Sequence, residues 1–259
     1  MISCLVLGCW VPLDLIPFLL VALGAFCIGL AKAGFSGISL IAVAIFADQF
    51  GAVASVGVAL PLLIIADLTV YPAFRKHGSW AGVWKLLPPT LLGIGVGFFA
   101  LDRISDEAAR MAIGGIILAM LFLQILRKWK PEDFKKMAES RFFGLAAGGL
   151  GGVATMMANA AGPVIQLYLL SRAIPKMELL GIAARFFLLV NLLKVPLDAG
   201  LDIVNPTSLY INLWLAPAVV LGVFVGKAIV HRGPQRVFEG LIFGFAFLSS
   251  MRLLFSWMI

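Results

Sequence analysis

The sequence predicts an all-α polytopic membrane protein: two inverted-topology repeats of about five helical elements each, with short broken or re-entrant helices. Three observations carry this reading. Of the 259 residues, 62% are hydrophobic and 13% charged, against roughly 45–50% and about 25% in an ordinary soluble domain. The apolar residues gather into runs of membrane-spanning length separated by short polar loops. The basic loops can all be placed on one side of a bilayer, as cytoplasmic loops are.

Taken in order, Leu15 to Ala31 is the first span, interrupted early by Pro17 and ending at Lys32-Ala-Gly34. Gly37 to Ala47 is a shorter piece closed by Asp48-Gln49. Ala52 to Phe74 is a full span carrying Pro61 and a deeply placed Asp67, and Arg75-Lys76-His77 opens a basic loop that reaches Lys85. Leu86 to Leu101 and Ala108 to Leu126 are spans joined by the acidic loop Asp102 to Glu107. The longest polar loop, Arg127 to Arg141, follows. Phe142 to Met157 is apolar and glycine-rich, Ala160 to Ser171 is short, and Arg172 and Lys176 mark the next loop. Glu178 to Leu197 is a span. The loop Asp198 to Thr207 holds two acids and no base. Ser208 to Lys227 is a span, His231 to Arg236 a basic loop, and Val237 to Phe255 the last span.

These elements divide into residues 1–126, a first transmembrane repeat; 127–141, a basic cytoplasmic loop; and 142–259, a second repeat. Gly29, Gly34 and Gly37 align with Gly144, Gly149 and Gly152, and Pro88, Gly93 and Gly97 with Pro217, Gly222 and Gly226. In the second register Asp67 aligns with Pro196, two residues from Lys194. With the 127–141 loop inside, every basic loop falls inside and both acidic loops outside. An odd number of elements per half then inverts the second repeat, an arrangement used by many secondary transporters. Both termini are expected outside. The two short elements fall below the roughly 17 residues needed to cross, so each is either a span or half of a re-entrant hairpin.

The net charge of +7 lies in short loops between apolar spans, so nucleic-acid binding is not expected. The leftover polar sequence is too short for a separate soluble domain. Cys4, Cys9 and Cys27 have no metal-ligand or redox spacing, and no metal and no cofactor are expected. The first residues lack the basic region of a cleavable signal. The two histidines, His77 and His231, lie in loops with no ligand-like spacing, so an enzyme is not expected. A channel would more often show a ring of like charges or a filter motif.

The stretch Asn159-Ala-Ala-Gly-Pro163 breaks the second half. A broken helix inside a bilayer is tolerated where protein or a water-filled cavity satisfies the freed backbone groups. Flanked by Thr155 and Gln166, this break is either a binding site or a place where small residues let helices pack closely.

With Leu167-Tyr-Leu-Leu170 and Asn191-Leu-Leu-Lys-Val-Pro196 after that break, and Lys32-Ala-Gly-Phe-Ser-Gly37 in the first half, the chain resembles the TauE/SafE family of sulfite and organosulfonate exporters from about Leu15 onward. The resemblance implies a multi-pass inner-membrane protein whose partners are the lipid bilayer and a small anion: sulfite, an organosulfonate or a related carboxylate. A homo-oligomer is compatible with the sequence, which does not fix the coupling ion.

Such an anion needs positive charge and hydrogen-bond donors. Helix N-termini supply both: one follows Asn159, where Gly162 and Pro163 lie and Gln166 comes a turn later, and its mate follows Gly34, with Ser36 and Ser39 as hydroxyl donors. Lys32 and Lys194 offer full charge; a Lys at mid-membrane costs roughly 2.5–3.5 kcal/mol on insertion scales, though both also read as interfacial or snorkelling side chains. Asn191 belongs to the Asn-x-x-Lys-x-Pro piece of the resemblance. Arg185 departs from it, and reads either as an added anion contact or as an Arg snorkelling near a span end. Asp67 reads as a partner for Lys194 or Lys32, or as the carrier of a coupling proton.

Overall fold

A computed structural model describes residues 15–130, 132–133, 136–137, 140–172 and 174–230. Nine α-helices and no strand are found among them: α1 Leu15–Lys32, α2 Ser39–Phe50, α3 Ala52–Phe74, α4 Trp80–Leu101, α5 Asp106–Trp129, α6 Arg141–Ala158, α7 Ala161–Ser171, α8 Lys176–Gly200 and α9 Pro206–Val230. Five of these, α1, α3, α4, α8 and α9, are long and apolar enough to cross a membrane. The span expected over Val237 to Phe255, the His231 to Arg236 loop, and Cys4 and Cys9 lie outside the described residues.

Helix starts follow capping chemistry that hydropathy alone does not see. The Ser79 hydroxyl accepts the Gly82 amide at 3.3 Å, so α4 begins at Trp80 rather than at Leu86. Ser105 likewise accepts from Ala108 at 3.2 Å and α5 begins at Asp106, whose carboxylate and that of Glu107 suit a helix N-terminus. Helix α2 runs through Asp48-Gln49 and stops at Gly51, whose φ of 87° an L side chain rarely adopts.

The two short helices fold back on their predecessors, α2 against α1 and α7 against α6. At about 1.5 Å per residue, 12 and 11 residues reach well under the roughly 30 Å of a hydrocarbon core. Each hairpin has a break at its tip. The first is Ala33 to Phe35, where Gly34 has φ 130°, leading into a short 3-10 turn, Ser36–Ile38. The second is Asn159-Ala160, where Asn159 takes the left-handed conformation at φ 52° and ψ 28°, which Asn tolerates better than most residues.

Long helices wall these hairpins. Helix α9 lies on α1 and α4 on α6, while α3 and α8 pack on each other between them. Both outer seams are glycine contacts. A Cβ on Gly29 (α1) would strike the Val219 carbonyl of α9, and one on Gly222 (α9) the Phe26 carbonyl of α1. Across the other seam, a Cβ on Gly152 (α6) would strike the Thr90 carbonyl of α4, and one on Gly93 (α4) the Gly149 carbonyl of α6. Large apolar side chains such as Leu92, Val96 and Phe99 on α4, and Leu213, Trp214, Leu221 and Phe224 on α9, stay exposed, as an outer surface facing lipid requires.

Candidate functional site

The tips of both hairpins meet α3 and α8 around a cavity of about 60 Å³, room for a cluster of waters or one small anion. Its lining includes Lys32 and Gly34 from the first break, Thr155, Asn159, Gly162 and Gln166 from the second, Asp67 from α3, and Phe187 and Asn191 from α8. Of the residues predicted from sequence, Lys32, Gly34, Asp67, Asn159, Gly162, Gln166 and Asn191 are thus brought together, with Ser39 beside them. Pro163 is buried on α7 outside this lining. Ser36 opens the 3-10 turn, and its side chain lies outside the description.

Two buried ion pairs organise the site. Lys32, the last residue of α1, places Nζ 2.8 Å from Asp67 Oδ1, donates to Oδ2 at 3.0 Å, and lies 4.4 Å from the centroid of the Phe187 ring. Asn191 donates its Nδ2 to the same Oδ2 at 2.7 Å. The Asp67 side chain is 0% exposed and that of Lys32 12%, and both line the cavity. The second pair lies behind the break. Lys194 Nζ donates to the Thr155 carbonyl at 2.6 Å and to Asn159 Oδ1 at 2.7 Å, with Asp198 Oδ2 at 3.9 Å. Asn159 also donates from Nδ2 to the Val56 carbonyl of α3 at 2.9 Å. One Asn side chain therefore joins the break to α3 and α8 while its backbone closes α6. Gln166 Nε2 donates to the Gly34 carbonyl at 3.3 Å, linking the two breaks.

Of the two lysines the sequence offers Asp67, the structure selects Lys32, with Asn191 as a second donor, and Lys194 pairs with Asp198. Two sequence expectations change here. Asp198, read as the start of an acidic outer loop, lies inside α8 at 0% exposure; its i,i+4 spacing from Lys194 was the available signal. Lys194 does not reach the cavity wall but holds Asn159, which does.

Arg185 belongs to neither pair. Its guanidinium donates to the backbone carbonyls of Gly78 and Arg75 and stacks over Trp80 at 5.3 Å. It fastens the chain between α3 and α4, where Gly181 also meets Gly78 backbone to backbone; it neither contacts the cavity nor snorkels free. Arg185→Met is expected to lower stability by about 1.5–3 kcal/mol, the range for hydrogen bonds to charged groups. Anion affinity should change less than about twofold, since the Arg185 side chain is not part of the cavity lining; thermal unfolding and anion titration of one preparation check both.

Apolar helices of spanning length around a buried cavity lined by charged and polar side chains define a multi-pass membrane protein with an internal polar site. Residues 21–253 match the family model for the sulfite exporter TauE/SafE, and the chain belongs to that family. Its members are membrane transporters rather than enzymes, of the sulfite or anion exporter type. No curated protein matches the chain, and no solved structure does.

Proposed function

We propose that the protein exports small anions, sulfite or organosulfonates, across the inner membrane by alternating access, with the anion seated in the cavity between the two helix breaks. The observation that carries this is the convergence, on one small cavity, of the Lys32 ammonium, the amides of Asn159, Gln166 and Asn191, and the start of α7 at Ala161 and Gly162. Full charge, side-chain donors and a helix N-terminus are what an oxyanion requires. Lys194 serves as a positioning residue that fixes the Asn159 amide.

The contacts also support two inverted repeats as the frame for alternating access. The Gly29 contact with Val219, Gly222 and Val223 has its counterpart in that of Gly152 with Thr90, Gly93 and Ile94. This equates Gly29 with Gly152 rather than Gly144, and keeps Gly93 with Gly222. Gly57 meets Ile203 beyond the end of α8, and Gly181 meets Gly78 beyond the end of α3. That relation equates Asp67 with Asn191 rather than Pro196, and Pro72 with Pro196. Asp67 and Asn191 would then be repeat mates hydrogen-bonded to each other at 2.7 Å on the axis between the halves.

A second reading, transport of a small carboxylate, is favoured by the donors that already hold a carboxylate: Lys32 and Asn191 on Asp67. Thermal-shift titration with sulfite, methanesulfonate, sulfoacetate, taurine, thiosulfate and acetate tests both. A ligand of the folded state at a hundredfold excess over Kd adds about 2.7 kcal/mol of stability. The shift should come from a sulfur anion or from acetate, and should vanish in the charge-neutral double variant Lys32→Met with Asp67→Asn. An unchanged shift in that variant would place the anion elsewhere.

A further inference from the structure

We propose that the anion and one proton occupy the central cavity together: the anion takes the place of Asp67 on Lys32 and Asn191, and Asp67 accepts a proton from bulk water as it is displaced. This rests on the anion-transport reading. The carboxylate of Asp67 already holds the two donors best suited to an incoming oxyanion, the Lys32 ammonium at 2.8 Å and the Asn191 amide at 2.7 Å. Anion and ionised Asp67 therefore compete for one set of donors, in a space of about 60 Å³.

Charge decides the outcome. The ionised pairs Lys32–Asp67 and Lys194–Asp198 each sum to zero. Lys194 offers no spare cation, because its ammonium is spent on Thr155, Asn159 and Asp198. A monovalent anion added to this set leaves one uncompensated negative charge at full burial, and buried groups neutralise rather than hold such a charge. One proton on Asp67 restores zero. The empty cavity, with its ion pair closed, and the loaded cavity, with anion, ammonium and protonated carboxyl, are then both neutral. Both can be carried through a low-dielectric barrier that a net charge opposes.

The groups around Asp67 make it the site of that proton. Lys32 of α1 and Asn191 of α8 contact it. On α8, Lys194 and Asp198 are turned onto each other. Lys227 of α9 donates at 3.4 Å to the carbonyl of Thr69, two residues beyond Asp67 on α3, and lies outside the cavity lining. From α2 and α5, Asp48 and Asp106 lie at the Gly51 end of α3, where Asp106 accepts from the Val53 amide at 3.1 Å. The α6 segment carries no ionisable side chain after Arg141.

Proton uptake on binding can be counted directly by calorimetry of the purified protein in two buffers of different ionisation enthalpy. The probes are methanesulfonate and, in parallel, acetate, at a pH where both are fully ionised. The wild-type protein should take up about one proton per anion bound, and its Kd should weaken about tenfold per pH unit above its acidic plateau. Asp67→Asn, in which Lys32 has no competing carboxylate, should bind more tightly at alkaline pH, with no uptake and a flat pH profile. Binding to wild-type protein without proton uptake overturns the coupling and leaves the anion site standing. Absence of binding by both probes overturns the anion site and the coupling together. The wild-type measurement decides the matter even if Asp67→Asn does not fold.

Discussion

Lys194→Met is expected to unfold the protein rather than merely silence it. The sequence invites the opposite forecast, because a Lys three residues before Leu197 in an Asn-x-x-Lys-x-Pro run reads as an anion ligand whose loss lowers transport in a folded protein. The geometry assigns it other work. Lys194 is fully buried, donates to Thr155 and Asn159 at the end of α6, and is the charged partner of Asp198. Neither oxygen of Asp198 has a hydrogen-bond partner among the described residues, so losing the ammonium leaves a buried carboxylate alone. Removing one member of a buried pair costs about 3–5 kcal/mol, whereas replacing the whole pair with apolar groups is often neutral. The double variant Lys194→Met with Asp198→Leu should therefore regain most of the loss in thermal unfolding, while anion affinity stays low because Asn159 has lost its anchor. A single variant as stable as the parent would return Lys194 to the role of ligand.

Gly152→Ala and Gly29→Ala should each destabilise by about 1–3 kcal/mol, the usual cost of overpacking, and the two together by close to the sum, because the seams share no partner. At Gly152 the added Cβ would strike the Thr90 carbonyl and lie 2.8 Å from the Ile94 nitrogen and 2.9 Å from the Gly93 Cα. At Gly29 it would strike the Val219 carbonyl and lie 2.7 Å from the Val223 nitrogen. These obstacles are backbone, which cannot turn aside as a side chain can, so the helices must separate. Gly95→Ala and Gly115→Ala are the controls: nothing lies within 4 Å of either new Cβ. In those helices the gain in helix propensity, roughly 0.5–1 kcal/mol, should show as unchanged or raised stability. Equal losses at all four positions would mean that the glycines matter through helix flexibility and not through contact.

The place of the nine helices among the described residues is legible because each rests on an apolar run, and Ala52–Phe74 coincides with its run at both ends. Where the bounds differ, polar residues continue a helix that hydropathy ends. Trp80 to Lys85 adds more than a turn to α4 under the Ser79 cap, and Asp48-Gln49 stays helical until Gly51 turns the chain. In the site, the break at Asn159 and the lysine at its partner break were readable, since Gly, Asn and buried charge in an apolar setting each ask for a reason. Which charge meets which was not. Asp67 had two lysines to choose from, and only the packing of α1 and α8 on α3 selects Lys32 and Asn191. From sequence Asp198 reads as the first acid of a loop without a base, yet α8 continues through Pro196 to Gly200. Arg185 shows the same limit, its partners being backbone carbonyls in another loop, which no side-chain pattern announces.

The glycine seam between α1 and α9 has a consequence in time. A ribosome adds about 5–20 residues per second, so α1, once made, spends on the order of ten to forty seconds in the translocation machinery or in lipid before the residues that meet Gly29, Val219 and Gly222, exist. Throughout that interval Lys32 is without the backbone of α9 beside its helix, although α3, with Asp67, emerges soon after it. The α4–α6 seam closes over a much shorter stretch of chain, from Gly93 to Gly152. Assembly is thus ordered by synthesis: the charge pair that becomes the cavity can form early, the second seam can follow, and the first helix is clamped last.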